Sequence, residues 1–208
     1  PLQQDTTWLE CTSRFNPCGY QGGFTGNRKA LVIEKSNSHL VSTHSYDHND
    51  NTATASLTAK LEEGGDLQVD ISMMCRNESQ DLLRQLQHEA DPSIKERYWQ
   101  SAFSLPSYVV NRVVINAHKE QAVANVDLKL TVSKAVSVSG TRMFMTPVFT
   151  NTVHERLLKD TARVNALYFN SAFTEIDTFL FVIPETYRLE SGGKTFALSN
   201  EFRSFEMR

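Results

Sequence analysis

Glu10 stands directly behind a tryptophan and a leucine, in Thr7-Trp8-Leu9-Glu10-Cys11-Thr12, and this placement has the make-up of an orienting carboxylate. In a Cys-His-acid triad such a group fixes the imidazole tautomer and stabilises the imidazolium, so it must be held rigidly by a strand. Residues 7–9 read as that short strand. The motif alone equally describes a solvated edge-strand glutamate, which is the commoner case. Cys11 follows the acid, so on a strand its side chain points to the opposite face and does not supply a nucleophile beside Glu10. Cys18 lies in a turn-rich stretch beyond it.

A second constellation is His44, Asp47, His48 and Asp50, with His39 nearby. Two histidines four residues apart share a face only on a helix, where they could ligate a divalent metal. Here the segment reads as a strand running into an Asn/Asp-rich loop, and a solvated turn is the expectation. No metal and no cofactor are expected. His88, His118 and His154 have no obvious partner set. Arg142, Arg156 and Arg163 could bind an anion only if the fold gathered them, and a solvated sheet face explains them as well. Three cysteines, Cys11, Cys18 and Cys75, are too few for a disulfide scaffold. They read as small buried hydrophobes unless the loops of Cys11 and Cys18 meet. Tyr98 with Trp99, and Phe179 with Phe181, lie inside periodic segments and are expected in the core rather than on a binding platform.

The elements that must position these residues are mostly strands. Residues 30–33 and 39–43 are short strand candidates. Ala53, Ala55, Leu57, Ala59 and Leu61 alternate with polar residues, and after Glu63-Gly64-Gly65-Asp66 the same rhythm returns in Leu67, Val69, Ile71 and Met73. That pattern predicts an antiparallel hairpin with one buried face. Residues 78–104 break the rhythm: Leu82, Leu83, Leu86 and His88 recur at helical spacing, and Asp91-Pro92 is an Ncap–N1 pair opening a second helix toward Phe103. Strands resume over 108–117, bent at Arg112, and over 126–138. The unbroken apolar run at 179–183 predicts a central strand covered on both faces. The expected fold class is mainly β, an antiparallel β-sandwich-like domain with a small helical insert.

Composition narrows the function. With 21 Lys and Arg against 24 Asp and Glu, and cations scattered along the chain, nucleic-acid binding lacks its basic stripe. No apolar run approaches the roughly 20 residues of a membrane span. The opening Pro1-Leu2-Gln3 carries neither a basic nor an apolar leader region and predicts a processed or excised stretch. The closing Phe202–Arg208 reads as a strand still running, which predicts truncation or edge pairing with another chain, such as a homodimer partner.

Trp8-Leu9-Glu10-Cys11-Thr12-Ser13, Pro17-Cys18-Gly19-Tyr20, Phe24-Thr25-Gly26-Asn27-Arg28 and Ala30-Leu31-Val32-Ile33 together resemble the end of a bacterial transglutaminase-like domain. Thr43, Asn51, the Gly64-Gly65 hairpin, Arg163 and Ile183-Pro184-Glu185-Thr186-Tyr187-Arg188-Leu189-Glu190 resemble the β-rich part that follows it. The resemblance implies a multidomain extracytoplasmic protein, periplasmic or secreted, that attacks amides with a cysteine thiolate. It places the triad acid at Glu10, where the family usually has Asp. The extra methylene would shift a carboxylate by about 1 Å, enough to matter in a preorganised site. It also places the cysteine and histidine upstream, in residues not present here. Residues 1–35 would then be terminal strands of the core and 36–208 a C-terminal accessory domain. The expected role is a non-catalytic structural module whose partner is the upstream core. The alternative is an independent extracellular binding or adhesion module for protein or carbohydrate.

Overall fold

The computed structural model describes residues 7–105, 107–146, 171–192, 194–201 and 203–207. Two short strands, β1 (Lys29–Val32) and β2 (His39–Ser42), pair antiparallel with Leu31 opposite Leu40. This hairpin joins residues on either side of the boundary expected near 35.

The main sheet follows from alternation. Strands β3 (Thr52–Leu61) and β4 (Leu67–Arg76) put Ala55, Leu57, Ala59, Leu61, Leu67, Val69, Ile71 and Cys75 on one buried face. Their turn closes as expected: Gly65 adopts φ +88°, and its N–H donates to Glu62 O at 2.9 Å. Strand β5 (Tyr108–Ala117) carries a register shift between Val110 and Arg112, at the site of the expected bend, and pairs with β6 (Val123–Val132). Strands β7 (Ser137–Ser139) and β8 (Arg142–Phe144) form a small separate hairpin. The sheet order is β5-β6-β4-β3-β9, with β9 (Thr174–Val182) parallel to β3 and every other pair antiparallel. Strands β10 (Phe196–Ser199) and β11 (Ser204–Met207) pair only with each other.

A 3-10 turn, Asn77–Gln80, leads from β4 into α1 (Asp81–His88), and α2 (Pro92–Ser101) follows. Asp91 caps α2 as expected, its carboxylate accepting Ser93 N–H at 2.8 Å. Leu83 and Leu86 of α1, Trp99 of α2 and Phe103 join the sheet's apolar face in one core, with Tyr98, Met143, Phe179 and Phe181 packed against it. The mainly β character with a helical insert is therefore as expected.

Two local expectations are corrected. The helical face of α1 is Leu83, Arg84 and Leu86, with Leu82 and His88 exposed. Strand β9 is covered on one face only, because a strand sends successive side chains to opposite sides: Phe179 and Phe181 pack inward while Ile176, Leu180 and Val182 are exposed. The sheet's outer face is open and mixed, polar at Thr54, Ser56, Asp70, Ser72, Asp127 and Lys129 and apolar at Met74, Val114, Ile176, Leu180 and Val182. Its Lys129–Asp70 pair, 2.8 Å apart on directly opposite residues, is solvated and contributes little stability.

Candidate functional site

Glu10 sits in irregular chain rather than on a strand; residues 7–10 pair with no neighbour among the described residues. Its Oε1 accepts the Thr12 N–H at 2.7 Å and the Thr12 hydroxyl at 2.6 Å, closing a local turn. A side chain that satisfies the main chain two residues on competes with strand pairing, and here it wins. The Thr25 hydroxyl lies 3.4 Å from Oε2, but its one proton goes to the much closer Gln21 carbonyl. Oε2 therefore keeps lone pairs for another donor. The two Thr12 bonds hold the Glu10 carboxyl below the usual carboxylate range.

The chain after Glu10 is fastened to α1 by a cluster of buried polar groups. Tyr20, Gln21, Gln80 and Arg84 are all buried. The Tyr20 hydroxyl donates to Asp81 Oδ1 at 2.7 Å, and Gln80 Nε2 donates to the same oxygen at 2.8 Å. The Gly23 N–H also donates to this carboxylate. Arg84 Nε donates to Gln80 Oε1 at 2.7 Å, while its terminal nitrogens donate to the carbonyls of Phe15 (3.1 Å), His118 (2.9 Å) and Gln121 (2.9 Å). One guanidinium thus ties the N-terminal segment, α1 and the β5–β6 turn together. Burial pushes the Asp81 carboxyl up and pulls the Arg84 guanidinium down, and each opposes the other's shift by its charge. Burial, then the Asp81 carboxylate, raises the Tyr20 phenol far above its ordinary value.

Contacts on both sides continue this clasp. Gln21 Oε1 accepts His44 N–H at 3.2 Å, and the Thr43 hydroxyl donates to Thr25 O at 2.7 Å while accepting Arg28 N–H at 2.8 Å. The Phe15 ring stacks on His88 with centroids 3.8 Å apart, and the Arg14 guanidinium lies 4.7 Å over the Phe15 ring. Gly23 and Gly26 are glycines for space: a Cβ on either would meet the Glu78 side chain or the His44 carbonyl at 3.3 Å.

Of the other sequence candidates, His44 and His118 join the clasp through main-chain groups and His88 through its ring on Phe15. The His44 ring packs edge-on to Tyr46, and Asp47 closes a turn by accepting the N–H groups of Asn49 and Asp50, which lowers its pKa. Among the described residues no group of three His, Cys, Asp or Glu side chains has the arrangement of a metal site. Cys11 and Cys18 are exposed and unbridged, which corrects the expectation that all three cysteines are buried; only Cys75 is. Cys11 Sγ makes a weak contact to Leu9 O at 3.9 Å. Arg142 pairs with Glu190 at 2.9 Å. His154, Arg156 and Arg163 lie outside the described residues.

The residues that sequence reasoning passed over are Tyr20, Gln80, Asp81 and Arg84. One signal was available: Gln80 and Arg84, four apart at a helix start, share a face with the apolar Leu83. No protein-family model, curated protein or solved structure matches the chain.

Proposed function

We propose that this chain is a non-catalytic accessory module of an extracytoplasmic transglutaminase-like cysteine enzyme acting on protein or peptide amides. The cysteine thiolate of the parent attacks the amide carbonyl, and a histidine moves the protons through an acyl-enzyme. In this reading Glu10 orients that histidine. Among the described residues its Oε2 faces only the distant Thr25 hydroxyl, and the two Thr12 bonds favour its ionised form.

The observation that carries the reading is the clasp between residues 15–23 and α1, which seats the segment following Glu10 on the β-rich domain through part-buried hydrogen bonds. A module meant to present a carboxylate to a neighbouring domain needs such a rigid mount. Two measurements test this. With peptide anilides and amine-acceptor substrates the chain should give background rates; turnover abolished by Cys11→Ala or Cys18→Ala would overturn the non-catalytic assignment. In Arg84→Met, amide exchange over residues 15–23 should accelerate by about tenfold or more, since three carbonyls lose a charged donor. Unchanged exchange there would remove the mount.

A binding-module reading has one observation in its favour. On β10–β11, the Phe196 and Phe205 rings lie 6.3 Å apart and both are exposed. Carbohydrate titration that shifted these two resonances would favour it.

A further inference from the structure

The β1–β2 hairpin is an incomplete element. It has four residues per strand, and among the described residues no third strand pairs with it and none of its residues belongs to the hydrophobic core. Two-stranded hairpins of this size are marginal in water unless something packs on them. One face is half-buried, through Ala30, Val32 and Val41. The other face is apolar and bare: Leu31 is 59% exposed and its cross-strand partner Leu40 is 66% exposed. Ile33, which follows β1 at the same alternation, is 82% exposed.

Charge says what kind of surface fits it. Lys29 shares the face of Leu31, and Arg28 and Lys35 flank the strand, against Glu34 as the one acid between residues 28 and 42. Among the described residues none of these three cations lies in a salt bridge, although Lys129 and Arg142 do. Lys29 Nζ donates to the Ser42 hydroxyl at 2.8 Å. A second copy docked face to face would set these cations against their equivalents, which disfavours self-pairing.

We infer that the bare face of the β1–β2 hairpin is a docking surface for a folded protein partner presenting an apolar patch rimmed by carboxylates. This deepens the accessory-module reading and rests on it, the partner there being the catalytic core. Apolar burial of Leu31, Ile33 and Leu40 supplies the attraction, and the cations fix orientation and speed encounter.

The probe is 8-anilinonaphthalene-1-sulfonate, an apolar body with an anionic group, titrated into the intact chain and followed by amide chemical shifts. Shifts should concentrate in residues 28–42. Leu31→Ser with Leu40→Ser should weaken binding by about tenfold or more, and so should Ile33→Ser, which lies outside the paired strands, in part. Unchanged β4 and β6 resonances show that the variants fold. Lys29→Gln with Lys35→Gln should weaken this dye and spare an uncharged one such as Nile red. Shifts confined to other surfaces, or equal loss for both dyes, would overturn the inference. So would a dimer in sedimentation that Leu31→Ser with Leu40→Ser dissolves, because the occupant would then be a second copy. None of these outcomes depends on substrate turnover, so a failed docking face and a failed accessory assignment remain separable.

Discussion

The Asp81 carboxylate is half-buried beside a phenol, and burial is the main cause that raises its pKa. Its folded-state pKa is raised, so the folded protein takes up its proton at higher pH than the unfolded chain does. Its contribution to stability is thus fully present below the unfolded value of about 4 and is lost as pH rises through the folded one. Urea unfolding of wild type and Asp81→Asn should therefore diverge in favour of wild type as pH falls from 7 toward 4. A parallel pair of curves would show the carboxylate to be solvated. Glu10 has the opposite sign, but on an exposed turn its share is small. Burial, then Glu175, pushes the Cys75 thiol up to about 11. Iodoacetamide at pH 7.5 should modify Cys11 and Cys18 and reach Cys75 only in denaturant, which mass spectrometry can count. At this scale the sequence was partly readable. Glu10 and Cys11 could be picked out by type, but the strand assumed beneath them does not form, since Thr12 captures the carboxylate locally. The clasp was hidden because its members lie up to 69 positions apart, as Arg84 and Phe15 do.

Strand and helix placement was the most legible level, for a physical reason: a strand with one face in oil and one in water writes a period of two into the chain. The β3–β4 hairpin, the bent β5 and the Asp91-capped α2 all follow from local pattern. The parallel docking of β9 does not, because strand order depends on contacts far along the chain. Gly65 shows how tightly one turn is specified. It has φ +88°, and a Cβ there would lie 3.0 Å from Val136 Cγ2. Gly65→Ala should cost about 1–2 kcal/mol, since backbone strain and the Val136 contact act together. Gly64 has no positive φ, and a Cβ there would meet nothing within 4 Å. It is the matched control, and Gly64→Ala should change stability by less than about 0.5 kcal/mol. Thermal or urea unfolding of the two variants checks the contrast.

For the molecule as a whole, stability is concentrated in β3, β4 and β6, whose inward residues are nearly all buried, and thins toward the small hairpins. Amides of β4 and β6 should be protected from exchange at least about a hundredfold more than those of β1–β2 and β10–β11. Comparable protection throughout would mean that the small hairpins are held by packing they do not visibly have. Fully buried Asn51 marks the other organising feature. Its Nδ2 donates to Ala172 O at 3.0 Å, its carbonyl accepts Thr174 N–H, and its Oδ1 accepts Glu78 N–H. The first of these joins positions 121 residues apart. Closing so long a loop adds little to the equilibrium cost, which grows only logarithmically, yet contacts of this span slow folding. On the ribosome, the flank of β3 that receives β9 is made early and waits for its neighbour while everything between them is synthesised. For that interval the amides and carbonyls on that side of β3 lack their β9 partners, an open edge able to pair wrongly with another chain.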